Sequence, residues 1–309
     1  MATRNTKTAK VVQINQPVAF SNFFSTSHQG HHLMGKNYRD LFIDQVKDFF
    51  ARMKHHLYIA GQPGVGKTHT VEQFAKQYPH IYLLTMKGKM SPWAFIKTVA
   101  VNMYKLPDNM QLVIYIDDMN HIFASNSEFL DIFKIAMDKK SGDRLEYNSS
   151  LGAQYEGAED IEKEAIDHFK SLNPDRVGFV IPFNGRVKFI FTMNTPLPGK
   201  QEMDKLEVGS DKWIKLNNRA AIRSRTNYED LVMDKATYWG WIADVVWYDP
   251  TMCAGATADQ RFDMLSWMWD NWEKLSETSL RFMEEKLWDI MQQYPSKIDY
   301  LARWERLKG

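Results

Sequence analysis

The chain has 309 residues, 44% of them hydrophobic, and a formal net charge of +1. That length fits one large domain or two modest ones, and near-neutrality excludes a broad polyanion-binding surface, so any nucleic-acid contact has to be a local patch. A single cysteine, Cys253, excludes an internal disulfide and fits a reducing, cytoplasmic setting.

Residues 1–37 contain no acidic residue, carry Arg4, Lys7, Lys10 and Lys36, and hold one apolar patch at Val18–Phe24. They read as an arm that lies on a neighbouring surface, with a DNA contact or a targeting segment as alternatives. The first residues lack the apolar core of a secretory signal, and no run approaches the roughly 18–20 apolar residues that span a bilayer. No membrane partner is expected. From Tyr38 to Lys54, Leu41, Phe42, Val46, Phe49, Phe50 and Met53 recur at helical spacing. An apolar strand, His56–Ala60, then leads into Gly61-Gln62-Pro63-Gly64-Val65-Gly66-Lys67-Thr68-His69. A helix follows to Tyr78, where Pro79 stops it.

A strand over Ile81–Met86 ends in the loop Lys87-Gly88-Lys89-Met90. Ser91 is a good N-cap and Pro92 suits a first helical position, so a helix is expected to about Tyr104. Leu112–Ile116 is a fully apolar strand closing on Asp117-Asp118, followed by a helix over Glu128–Asp138. Residues 139–182 break the pattern and contain an acidic helix, Ala158–Leu172. Val187–Met193 is a strand ending in Asn194. Asn184-Gly185 has the composition of a hairpin turn, so GFVIPFNGRVKFIFTMN is a candidate β-hairpin. Beyond about Tyr228 the chain reads as helices: Asp234–Trp247, Thr257–Leu275, Glu277–Tyr294 and Lys297–Leu307. The tryptophans crowded between Trp239 and Trp288 fit burial at helical period.

Apolar strands alternating with helices imply an α/β fold with a parallel sheet covered on both faces. Ligands of such sheets sit beyond the strand C-terminal ends. The glycine-rich loop, Asp117-Asp118 and Asn194 all lie there. G-x-x-x-x-G-K-T is the phosphate-binding pattern: backbone N–H groups at a helix N-terminus cradle an anion, Lys67 reaches the outer phosphates, and the Thr68 hydroxyl ligates Mg²⁺. Asp117 is the second candidate for Mg²⁺. The ligand expected for residues 61–69 is ATP.

In their order and spacing these stretches resemble the AAA+ ATPase family from about Tyr38 to Tyr294. Gly61–Thr68 matches its Walker A motif and Leu112–Asp118 its Walker B motif. The resemblance implies a core with a five-stranded parallel sheet over 38–232, with an insert at 139–182, and a small helical lid over 233–309. It implies that Asp118 polarises the attacking water and that Asn194 is sensor 1. Arg225, in IRSRTNYEDL, stands where clamp-loader-like members carry a finger for the neighbouring subunit's ATP, with Arg219 and Arg223 competing for the role. Arg281, in SLRFMEEKLW, matches sensor 2. Asp118 departs from the family pattern, in which a glutamate is usual. The arrangement also resembles phage-encoded members, which would place it in a host cytoplasm.

The resemblance implies Mg²⁺-dependent ATP hydrolysis in a ring or spiral of identical subunits, with a hexamer expected. Its first pore loop falls at residues 87–90. There Lys87 and Lys89 suit phosphate contacts on DNA, where protein-threading members carry an aromatic residue; a solvated basic loop is the plain alternative. Remodelling or loading on nucleic acid, as in DNA replication, is therefore the first expectation. A MoxR-like chaperone that docks a protein partner on the acidic helix is the second, and an ATP-binding assembly with little turnover is the third.

Overall fold

The computed structural model describes residues 18–123, 128–138, 143–148 and 152–308. Arg4, Lys7 and Lys10 of the expected arm, and 139–142 and 149–151 of the expected insert, lie outside these residues. The described chain divides into two compact units: Asn37–Asp234, and the residues up to Lys36 together with those from Lys235 onward.

The larger unit is built on a parallel sheet of β1 (His56–Gly61), β2 (Ile81–Lys87), β3 (Gln111–Asp117), β6 (Val187–Met193) and β7 (Thr226–Leu231), in the order β2-β3-β6-β1-β7. β1, β3 and β6 are flanked on both edges and covered on both faces, which is why they read as unbroken apolar runs. Successive side chains alternate between faces. Tyr58, Ile114, Phe189 and Phe191 pack on one side with Phe95, Phe129 and Phe133. These come from α3 (Pro92–Lys105) and α4 (Glu128–Ala136). Ile59, Tyr115, Asp117 and Thr192 belong to the opposite set of alternating positions, the side on which α2 (Lys67–Ala75) meets Asp117 through Thr68. α1 (Thr26–Arg52) precedes the sheet. It begins twelve residues before the predicted Tyr38, and Leu41 of its predicted apolar face is exposed.

The predicted hairpin is not formed. Asn184 and Gly185 do make a tight turn, with φ of 51° and 75° and an Arg186 N–H to Phe183 carbonyl bond of 2.9 Å. The strand before it, β5 (Phe179–Pro182), pairs antiparallel with β4 (Arg144–Tyr147), because both edges of β6 are already taken by β3 and β1. The expected acidic helix, Ala158–Leu172, is α6 (Asp160–Ser171), preceded by a short α5 (Gly152–Glu156). α6 is not free to dock along its whole surface: Ala165, Ile166 and Phe169 are buried, and Glu162 is paired with Lys97 of α3 at 2.8 Å. Between β6 and β7 lie α7 (Lys200–Met203) and α8 (Asp211–Arg223).

The second unit contains α9 (Lys235–Tyr248), α10 (Ala258–Asn271), α11 (Leu280–Phe282), a π-helical turn over Met283–Trp288, α12 (Asp289–Gln293) and α13 (Lys297–Trp304). The early part of α1 belongs to this unit and sets its backbone directly against α9: a Cβ on Gly35 would collide with the Gly240–Trp241 backbone, and one on Gly240 with the His31 carbonyl. Phe20 and Phe24 stack on each other, and both meet the edges of Trp239 and Trp247. His32 Nε2 lies 3.0 Å from the buried Asp244 carboxylate. The fold is α/β, a five-stranded parallel sheet flanked by helices and followed by C-terminal helices.

Candidate functional site

The glycines of the loop have two separate jobs. Gly64 (φ 77°) and Gly66 (φ 84°) occupy left-handed backbone that side-chain-bearing residues rarely adopt, and Gly66 caps α2. Gly61, at the end of β1, is needed for closeness instead: a Cβ there would stand 2.7 Å from Leu231 Cβ on β7. Val65 is buried, His69 is exposed, and the Gln62 side chain donates to the Met233 carbonyl at 3.0 Å.

Lys67 and Thr68 open α2, where free N–H groups and the helix dipole favour an anion. The Lys67 ammonium donates to the Gly61 and Gln62 carbonyls, at 2.7 and 2.8 Å, and to Asn194 Oδ1 at 3.3 Å. Burial lowers its pKa to about 8, against the opposing pull of the Asp118 and Asp117 carboxylates. Asn194 in turn donates its Nδ2 to Asp118 Oδ1 at 2.8 Å. With a lysine on one side and a carboxylate on the other, only one orientation of the Asn194 amide satisfies both. Asn120 donates to the same Asp118 oxygen at 2.7 Å.

Asp117 is the second focus. Thr68 Oγ1 lies 3.0 and 3.1 Å from its two carboxylate oxygens, and Thr192 Oγ1 donates to Oδ1 at 2.6 Å. Since the Thr192 proton is spent on Asp117, the Tyr115 hydroxyl 2.9 Å away is the donor to Thr192. Lys87 Nζ stands 3.1 Å from Asp117 Oδ2 and 3.5 Å from Glu72 Oε1. Burial opposes the charged form of Asp117, but the bonds from Thr192, Lys87, Thr68 and Tyr115 outweigh it and hold its pKa below the usual carboxylate value.

The structure therefore brings together Lys67, Thr68, Asp117, Asp118 and Asn194. Lys87 belongs to this group and not to a loop: β2 extends to Lys87, which sits in register with Asp117, so its ammonium faces the carboxylate. Lys89 alone of the two lysines lies in the connection after Gly88, and it is exposed. Arg225 donates to the Ala221 carbonyl at 2.9 Å and approaches Asp138 at 3.5 Å. Arg219 and Arg223 donate to the Pro196 and Leu197 carbonyls, at 2.7 and 2.6 Å, just beyond Asn194. Arg281 lies in the other unit, on α11, with its side chain 72% exposed and Glu285 at 3.9 Å. Sequence reasoning passed over Thr192, Tyr115, Asn120 and the pairing of Lys87. Thr192 and Tyr115 carry a readable signal, each two residues before a recognised site residue, Asn194 just past the end of β6 and Asp117 on β3.

One carboxylate and one hydroxyl, both hard oxygen donors, fit Mg²⁺, which takes one or two protein ligands and fills the rest of its octahedron with water and nucleotide phosphate.

No protein-family model and no curated protein matches the chain. Among solved structures it is similar to the replication initiator DnaA bound to AMPPCP and single-stranded DNA, at 13% identity over 86% of this chain and 63% of that one, TM-score 0.39. It is similar to the Thermotoga maritima RuvB Holliday junction branch migration motor, at 12% identity over 94% and 72%, TM-score 0.39. A chain of the E. coli MS115-1 HORMA:CdnC:Trip13 complex gives 11% identity over 93% and 93%, TM-score 0.40. The chain thus spans less than two thirds of the DnaA chain. Likenesses of this degree are broad ones of fold, and they leave the chemistry to the residues.

Proposed function

We propose that the protein is a Mg²⁺-dependent ATPase of the AAA+ type that works as a ring or spiral of identical subunits, with six expected, on nucleic acid. One observation carries the ATPase reading. Three stretches far apart in sequence meet at the C-terminal end of the sheet in two bonded chains, Thr68–Asp117 and Lys67–Asn194–Asp118. In this reading the N–H groups at the start of α2 and Lys67 bind the β- and γ-phosphates. Thr68 and Asp117 would hold Mg²⁺, which would supply charge neutralisation at the phosphates. Asp118 accepts a proton from the attacking water, and Asn194, tied to both Lys67 and Asp118, holds the carboxylate at a fixed place relative to the phosphate end.

Arg281 is assigned to the same subunit's γ-phosphate and Arg225 to the neighbour's. Arginine suits both, since its planar fork keeps its charge and donates several bonds to phosphate. The nucleic-acid part of the reading is supported by the exposed Lys89 and by the Ser224-Arg225 pair.

Phosphate release is to be measured with Mg²⁺-ATP, alone and with single- and double-stranded DNA. Unsubstituted protein is expected to hydrolyse ATP, Lys67→Ala to lose nucleotide binding, and DNA to raise the rate. No hydrolysis and no ATP binding would refute the ATPase reading. Hydrolysis indifferent to DNA, with a protein trapped by Asp118→Asn, would replace nucleic acid by a protein substrate.

A further inference from the structure

Among the described residues, Lys87 is a cation in the site that the phosphate-loop chemistry does not use. Its position is dictated by three elements. The β2–β3 register puts it beside Asp117. Thr68 and Glu72 are four residues apart on α2 and so share a face, which places Glu72 on the other side of the same ammonium. Lys87 Nζ is 3.1 Å from Asp117 Oδ2 and 3.5 Å from Glu72 Oε1, and half of the lysine side chain is exposed. Of the two Asp117 oxygens, Thr192 donates to Oδ1 and Lys87 lies against Oδ2.

Resting on the ATPase reading above, we infer that Lys87 and the divalent cation are alternative counter-ions for Asp117, so that Lys87 sets how much metal the site needs. An ammonium and a doubly charged ion cannot share one carboxylate oxygen at contact distance without strong repulsion. With Oδ1 already accepting from Thr192, metal entry would displace the lysine from Oδ2 toward Glu72. The exchange needs only side-chain rotation, because Lys87 already lies within reach of both carboxylates. Without metal, Lys87 neutralises Asp117 and holds it against Thr68. With metal, the displaced lysine would remain at the edge of the site, against Glu72 of α2.

The test is metal binding, read without turnover. The full-length protein is saturated with AMPPCP and titrated with Mn²⁺, free metal being followed by electron paramagnetic resonance. Lys87→Met is expected to lower the Mn²⁺ half-saturation concentration by about three- to tenfold, the scale for removing one charge from a partly exposed site. Glu72→Gln is expected to raise it, by confining the lysine to Asp117. That effect should vanish in the Lys87→Met background, since a coupled pair is non-additive. An unchanged or raised half-saturation concentration in Lys87→Met overturns the inference. A Glu72→Gln effect that persists undiminished without Lys87 overturns the hand-over to Glu72. Failure of the unsubstituted protein to bind AMPPCP at all overturns the ATPase reading instead. Lys87→Met is exposed enough to fold, and an unchanged melting temperature checks this.

Discussion

Asp118 holds a left-handed backbone, φ 52°, while its carboxylate accepts bonds from Asn120 and Asn194 on a single oxygen. Aspartate and asparagine tolerate this conformation far better than longer side chains do. The short acid is thus matched to its backbone. Asp118→Asn should keep the fold and nucleotide affinity while turnover falls by about 10²–10⁴, the usual worth of a general base. Asp118→Glu should cost about 1 kcal/mol of stability from the αL penalty and lower the melting temperature by a few degrees. Thermal unfolding and phosphate-release assays check both, and equal melting temperatures for the two variants would contradict the backbone argument. Lys67 supplies a pH prediction. Burial lowers its pKa to about 8, whereas phosphates bound beside it would favour the charged lysine. Binding therefore takes up a proton above pH 8. Affinity should be level below that pH and fall by up to about tenfold per unit above it. A fluorescent ATP analogue titrated from about pH 6.5 to about 9.5 reads this directly, and a flat profile would count against the lysine's phosphate role.

At the scale of elements, the contact between α1 and α9 depends on two glycines that let backbones touch. Gly35→Ala and Gly240→Ala each place a methyl on backbone atoms that side-chain rotation cannot clear. Each should destabilise the helical unit by about 3 kcal/mol or more. Gly30, on the same helix with nothing within 4 Å of its hypothetical Cβ, is the control. Gly30→Ala should gain about 0.5–1 kcal/mol from helix propensity. Urea unfolding of the three variants separates close approach from propensity, and similar midpoints for all three would refute the packing account. The same helix shows why its early part was not legible in sequence. Its inner face is His28, His31, His32 and Gly35, spaced i, i+3, i+4, i+7, and such residues give no apolar periodicity. β7 was missed for a related reason: TNYEDL is a half-solvated edge strand and reads as polar. By contrast β1, β3 and β6 were legible because burial on both faces demands continuous apolar sequence. The loop was legible because two of its backbone angles demand glycine. The Lys87–Asp117 pair depends on strand register, which no local pattern encodes.

For the whole molecule, the question the site raises is whether one chain holds all of it. Within one chain the guanidinium of Arg225 has the Ala221 carbonyl and Asp138 as partners, its Nε is buried without one, and its side chain is 27% exposed. Arg219 also has a buried Nε without a partner, so this geometry does not choose between the arginines, and the proposal that Arg225 reaches a neighbour's nucleotide rests on its place in the sequence. In a cyclic assembly every subunit offers one face to its neighbour and receives the opposite one, so a single residue type can complete every site. A finger acting across such a contact is worth about 10³–10⁵ in rate. Lys67→Ala and Arg225→Ala proteins should then each be nearly inactive, the first for want of a phosphate ligand and the second for want of a finger. Mixed in equal amounts, they place an intact phosphate loop next to an intact Arg225 at about a quarter of random interfaces. The mixture should recover activity on that scale, and dilution that dissociates the assembly should abolish it. If Arg225 acted on its own subunit's nucleotide, neither parent would own a complete site in any arrangement, and mixing would restore nothing. Repeating the mixture with Arg219→Ala and Arg223→Ala distinguishes the three arginines. Both of these bond to the carbonyls that follow Asn194, so their loss should disturb the subunit's own Asn194 and should not be rescued by a Lys67→Ala neighbour.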